Sequence, residues 1–172
     1  MTTALAIMRL QPLHNGHKFI IDTMLAEHQK AVVMIGSAGA RDAKNPFPTY
    51  VRRQMLQRLY LAEMAQGRLV VQPIKDIHNA PRWVDYVLQT LGGIVPDVYY
   101  CGDTENGCLF ADKGFPVRNL ERTADGVAGT ALRDKLAQGD AAWQQDVPAP
   151  IIPIIKRYYK INPITKGVTH AK

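Results

Sequence analysis

Two cysteines in 172 residues are too few for a disulfide framework, and neither belongs to a Cys-x-x-Cys pair. Cys101 and Cys108 fall on a strand end and the segment after it, so a reducing, cytoplasmic setting is the expectation. Long apolar runs are missing as well. The isoleucine cluster at 151–155 is short and broken by Pro153, and nothing else is long enough to cross a bilayer. The brief apolar run at 5–8 has no basic region ahead of it and no small-residue cleavage site behind it, which reads as a strand rather than a signal peptide. Neither Gly-x-Gly-x-x-Gly nor Gly-Lys-Ser/Thr occurs, which disfavours dinucleotide-binding dehydrogenases and P-loop NTPases. Internal repeats and low-complexity linkers are absent too.

Negative charge is the scarcer sign: 15 acidic residues face 21 lysines and arginines, a net charge of +6. That balance suits nucleic acid or small polyanions. Arg52, Arg53, Arg157 and Lys160 are scattered through helical segments without an aromatic-interleaved stripe. The small polyanion is therefore favoured over nucleic acid, and much of this charge reads as a solvated face. With 47% hydrophobic residues the chain can bury an ordinary core. The expectation is one domain, with a body over about 4–140 and a helical tail over 141–172, punctuated by Pro148, Pro150 and Pro153 and frayed at its polar end.

Apolar, β-rich runs alternate with helical patterns. Strands are expected at 5–8, 31–36, 69–74, 98–101 and 115–120, and helices at 17–28, 49–65, 81–91, around Leu109 and at 130–136. Such alternation predicts an α/β, Rossmann-like fold with a doubly wound parallel sheet. Ligands of such sheets bind beyond the C-terminal strand ends, which directs attention to the loops at 9–17, 37–47, 76–83, 102–107 and 126–133.

The first of these loops is the most informative. In His14-Asn15-Gly16-His17 two imidazoles flank a glycine where the first strand gives way to a helix. Unpaired backbone N–H groups and the positive end of the helix dipole attract anions there, and glycine lets a ligand approach the backbone. The imidazoles add donors. His-x-x-His also begins some zinc sites, but His28, His78, His170 and the two cysteines show no spacing that completes one.

The stretch Arg9-Leu10-Gln11-Pro12-Leu13-His14-Asn15-Gly16-His17 resembles the first signature of the nucleotidyltransferase superfamily with a His-x-Gly-His motif. Val127-Ala128-Gly129-Thr130-Ala131-Leu132-Arg133 resembles its second signature, a turn that opens a late helix with an arginine one turn in. Within that superfamily the chain is most similar to nicotinamide-mononucleotide adenylyltransferases of the archaeal type. The similarity runs through Ile35-Gly36-Ser37-Ala38, Lys44-Asn45-Pro46-Phe47, Asp76-Ile77, Asn79 and Trp83, and covers residue 5 to about residue 140. Two departures stand out: Met8 occupies a position that is glycine in the family, and Ala128 one that is Ser/Thr. The loop before Lys44 and the step from Asp76 to Asn79 are each one residue shorter than usual.

The resemblance implies transfer of AMP from ATP to the 5′-phosphate of nicotinamide mononucleotide, giving NAD and pyrophosphate. The attacking phosphate is already ionised, so alignment and charge neutralisation carry the reaction. By the same resemblance His14, His17, Lys44 and Arg133 are catalytic candidates. Arg9, Gln11, Gly16, His17, Gly102, Gly129, Thr130 and Arg133 line ATP, and Gly36, Ser37, Asp76, Asn79 and Trp83 receive the acceptor. Mg2+ would arrive on the ATP phosphates with no protein side chain as ligand, and the protein would be a homo-oligomer. Two rival readings are another phosphorylated acceptor, such as phosphopantetheine or a flavin or polyol phosphate, and a non-catalytic sensor of ATP or NAD.

Overall fold

The computed structural model describes residues 2–102, 104–120 and 128–161. Five strands and six α-helices alternate: β1 (Thr3–Met8), α1 (Asn15–Glu27), β2 (Lys30–Ile35), α2 (Thr49–Ala65), β3 (Leu69–Pro73), α3 (Ala80–Thr90), β4 (Val98–Cys101), α4 (Thr104–Asp112), β5 (Val117–Asn119), α5 (Gly129–Gln138) and, after two short 3-10 turns, α6 (Ile152–Ile161). All strand pairs are parallel, in the order β3-β2-β1-β4-β5. The chain winds outward from β1 to β3, then returns to lay β4 on the other side of β1. That reversal opens a crevice at the C-terminal ends of β1 and β4, where open α/β sheets bind ligands.

Side-chain alternation along the strands separates two apolar layers. Ala4, Ala6 and Met8 of β1 join Ile21 and Met24 of α1, Met55 and Leu56 of α2 and Leu132 of α5. Leu5 faces the opposite layer, with Val84 and Val87 of α3 and Phe110 of α4. The segment after Asp140 belongs to the first layer, since Trp143, Val147, Ile151, Ile155 and Tyr158 are all buried there. It packs as short helices, as its prolines predict. The polar stretch expected to fray, 162–172, lies outside the described residues, as do Gly126 and Val127.

Element limits shift by up to two residues from the sequence reading, and two of these differences have a physical account. Helix α1 begins at Asn15 rather than His17, with His14 as its N-cap. Strand β5 shrinks to three residues because it is an edge strand, paired only to β4 and largely exposed. Among the described residues no helix is long and apolar enough to cross a membrane.

Three non-glycine residues adopt left-handed backbone just beyond successive strands: Leu10 (φ 53°), Ser37 (φ 49°) and His78 (φ 49°). Such conformations persist in bulky residues only where the surroundings hold them. Arg52 supplies much of that hold. Its sequence context places it on a solvated face, and the structure corrects this: the side chain is wholly buried. Its Nη1 donates to the carbonyls of Arg9 (2.7 Å) and Gly36 (2.6 Å), and its Nη2 to the Ser37 carbonyl and the Thr49 hydroxyl, both at 3.2 Å. Burial lowers its pKa to about 10, against the opposing pull of Asp76, so the group stays charged at neutral pH. Replacing Arg52 by Met should cost ~3 kcal/mol in urea unfolding, because three buried carbonyls lose their donor. Arg52→Lys should recover only part of this, since an ammonium lacks the planar fork. A methionine variant as stable as the parent would refute this role.

Candidate active site

The loop after β1 and the first turn of α1 form the centre of the site. His14 caps the helix and His17 sits at its third position, with the His14 backbone N–H donating to Nδ1 of His17 at 3.3 Å. An accepting Nδ1 assigns the proton of the neutral ring to Nε2, so His17 is set up as a donor through that atom. The two imidazoles lie over one another with centroids 3.7 Å apart. Gly16 makes room for this arrangement, because a Cβ there would stand 3.1 Å from Cε1 of His14.

Arg133, one turn into α5, reaches back to the same loop. Its Nη1 donates to the Gln11 carbonyl (3.1 Å) and its Nη2 to the Thr130 hydroxyl (3.0 Å). Burial lowers its pKa, and the positive charge of Arg9 lowers it further. The positive charges of Arg9 and Arg133 thus repel one another near the amino ends of α1 and α5. Repulsion of that kind is relieved by a bound polyanion. Gly129 leaves space for the Arg133 fork, since a Cβ would lie 3.4 Å from Nη1. Ala128 is the N-cap of α5 without a side-chain bond, as its departure from Ser/Thr predicts.

The loop between β2 and α2 carries Lys44, which is exposed. The Asp42 carboxylate turns this loop by accepting from the backbone N–H groups of Lys44 (2.8 Å) and Asn45 (2.9 Å) and from the Asn45 amide. These bonds, the Asn45 side chain first, hold Asp42 below the usual carboxylate range. On its outer side Arg41 donates to the Tyr158 hydroxyl of α6 at 2.6 Å, and the Phe47 ring packs on Tyr158 with centroids 5.4 Å apart.

The sequence reading places Gln11 at ATP, and the structure shows what its side chain bonds. Its amide is almost fully buried and bonds both backbone groups of Phe47, so its side chain is turned into the protein. At Gly102 a Cβ would lie 3.6 Å from Cδ1 of Ile20, an ordinary contact, so the fold itself does not demand glycine there.

On the far side of β1, Gly36 and Ser37 end β2 with their carbonyls held by Arg52, and exposed Asp76 follows β3. Asn79 is the N-cap of α3: its Oδ1 accepts from the Arg82 N–H at 3.2 Å, which leaves Nδ2 as its outward donor. Trp83 comes one turn later, half-buried against the second apolar layer, with a buried Nε1 that lacks a partner among the described residues. A hollow of about 310 Å³ along α3 is lined by Asn79, Arg82 and Tyr86, among others, and does not include Trp83. Arg52 and the bridging role of Gln11 escape a reading of the sequence, because their partners are backbone groups.

Residues 9–90 match the cytidylyltransferase-like family model. The chain is 32% identical over 165 residues to the nicotinamide-nucleotide adenylyltransferase of Thermoplasma volcanium, covering 94% of this chain and 89% of that protein. It is 32% identical over 172 residues to the enzyme of that name from Thermococcus kodakarensis, covering 96% and 88%. Among solved structures, the bifunctional NMN adenylyltransferase/ADP ribose pyrophosphatase of Francisella tularensis, complexed with AMP and a Mn ion, shares the fold with a TM-score of 0.74 at 18% identity. That match covers 92% of this chain and 49% of the bifunctional protein, so the chain spans about half of its length. By its similarity to the archaeal proteins over nearly their whole length, the chain belongs to the nicotinamide-nucleotide adenylyltransferase family.

Proposed function

We propose that this enzyme transfers AMP from ATP to the 5′-phosphate of nicotinamide mononucleotide, releasing pyrophosphate and forming NAD. The observation that carries the reading is the close histidine pair at one helix N-terminus together with Arg133, which bonds the same loop and feels the charge of Arg9. The nucleophile is a phosphate oxygen, ionised at neutral pH, so no side chain has to remove a proton. The oxygen attacks the α-phosphorus of ATP, the bond to the β-phosphate oxygen breaks, and pyrophosphate departs with the charge.

Each residue then has a defined task. His14 and His17 contact the ATP phosphates, and Nε2–H of His17 donates to the α-phosphoryl oxygens, where charge builds during transfer. Arg9, Lys44 and Arg133 hold the triphosphate and the leaving pyrophosphate, while Gly16, Gly129 and Thr130 keep the backbone open to it. Gly36, Ser37, Asp76, Asn79 and Trp83 receive the acceptor. Nδ2 of Asn79 suits the carboxamide oxygen of nicotinamide, and the Trp83 ring suits its pyridine face.

Among the described residues no group of three or more His, Cys, Asp or Glu side chains comes together to hold a metal ion, and the donors around the crevice are cationic. A divalent cation would arrive with the nucleotide, as Mg2+ bound by phosphate oxygens and water, where it would offset phosphate charge.

Incubation with ATP and nicotinamide mononucleotide should release pyrophosphate and form NAD in equal amounts. Stronger turnover with another phosphorylated acceptor, or binding of ATP without turnover, would overturn the reading. His17→Ala should fold normally and lose on the order of a hundredfold in kcat with a smaller change in KM, because the missing donor acts on charge that grows in the transition state. Near-normal kcat would remove His17 from the chemistry. Trp83→Ala should raise KM for nicotinamide mononucleotide and leave KM for ATP nearly unchanged. Equal loss for both substrates together with a lower melting temperature would mark Trp83 as a packing residue instead.

A further inference from the structure

Gln11 sits inside the phosphate-binding loop, yet its side chain is only 2% exposed. Its Nε2 donates to the Phe47 carbonyl at 2.9 Å, and its Oε1 accepts from the Phe47 N–H at 2.8 Å. One planar amide thus pairs with both backbone groups of a residue 36 positions away, as a neighbouring strand would. Both ends of the amide are occupied at short distance, and the second N–H of Nε2 belongs to a residue that is almost fully buried, so the side chain is turned away from a phosphate in the crevice.

What the bond joins is more telling. Arg9 lies two residues before Gln11, and Lys44 three residues before Phe47. The carbonyl of Gln11 accepts from Nη1 of Arg133. The three segments that carry cations to the crevice therefore meet at this one residue. The Phe47 ring is fully buried, so its backbone is a fixed end for the loop that bears Lys44. Shifting the Gln11 amide shifts that end.

We propose that Gln11 is a positioning residue, which sets the Lys44 loop against the nucleotide phosphates by bonding the backbone of Phe47 and does not itself touch ATP. This rests on the assignment of Lys44 to the triphosphate given above. Glutamine suits the task because a donor and an acceptor must lie side by side in one plane. Glutamate would keep the acceptor and, when ionised, press a second oxygen against the Phe47 carbonyl.

The test is a double-mutant cycle on the whole enzyme, with kcat and KM for both substrates and melting temperature measured for Gln11→Ala, Lys44→Ala and the double variant. Gln11→Ala should lower kcat/KM for ATP by on the order of tenfold or more, as misplaced groups do. In the Lys44→Ala background the same change should lower it by less than about threefold, since the group being positioned is already gone. General loosening of the fold would act equally in both backgrounds and cancels from this comparison. The same loss in both, or a Gln11→Ala enzyme with parental kcat/KM, overturns the proposal. Lys44→Ala alone reports on the Lys44 assignment: if it is silent, that assignment fails and Gln11 has no lysine to position, whereas an impaired Lys44→Ala with multiplicative losses sinks the coupling alone.

Gln11→Glu supplies a second readout. Its activity relative to the parent should rise as pH falls, because a protonated carboxyl again presents a donor beside an acceptor, and burial brings its protonation toward neutral pH. A ratio that stays flat or falls as pH is lowered counts against the bond to Phe47 as the working feature.

Discussion

The buried guanidinium of Arg52 is the interaction on which the rest of this site depends. Its planar fork gathers the carbonyls that end β1 and β2 and the hydroxyl that starts α2, so three separate chain segments share one rigid node. The left-handed residues Leu10 and Ser37 flank or include those carbonyls. Backbone strain of this kind survives when a strong, directional partner over-determines it. A charged group also binds carbonyl dipoles more firmly than a neutral donor would, and desolvation is tolerable because four acceptors surround it. The helix that follows, α2, is thereby locked in register with the strands it covers.

Around that node the charges divide by task. The amino ends of α1 and α5, with Arg9 and Arg133, make a strongly cationic side that nucleotide phosphates can neutralise. The ends of β2 and β3 and the first turn of α3 make a quieter side, with an amide donor and an indole in place of fixed positive charge. β1 stands between the two. On the proposed assignment, phosphate binding and choice of acceptor would then rest on different elements, which could change independently.

The parallel sheet was legible because strands buried on both faces read as apolar runs, and β1 to β4 lie within two residues of their expected limits. The histidine pair was legible because its chemistry is unusual for a helix start. Arg52 was not, for a physical reason: its partners are carbonyl groups, which every residue possesses and no sequence displays. The bonds of Gln11 to Phe47 were not legible, since an amide that binds ligand and an amide that binds backbone look alike in one dimension. The early start of α1 was hidden in a similar way, because histidine is not among the usual caps. β5 fell short of its expected length because it is an edge strand with a partner on one side alone, and an apolar run does not display that.

The bond from Arg41 to Tyr158 has a consequence for how the protein is born. Tyr158 follows every residue assigned to the nucleotide or the acceptor, and 117 positions separate it from the loop it braces. During synthesis the strands and the histidine turn leave the ribosome well before α6 does, although a domain folds as a unit. Until that helix docks, the Lys44 loop has its inner anchor but not its outer one. The brace on the outer side of this loop is therefore set only once α6 has packed, after the strands that position the loop have been made.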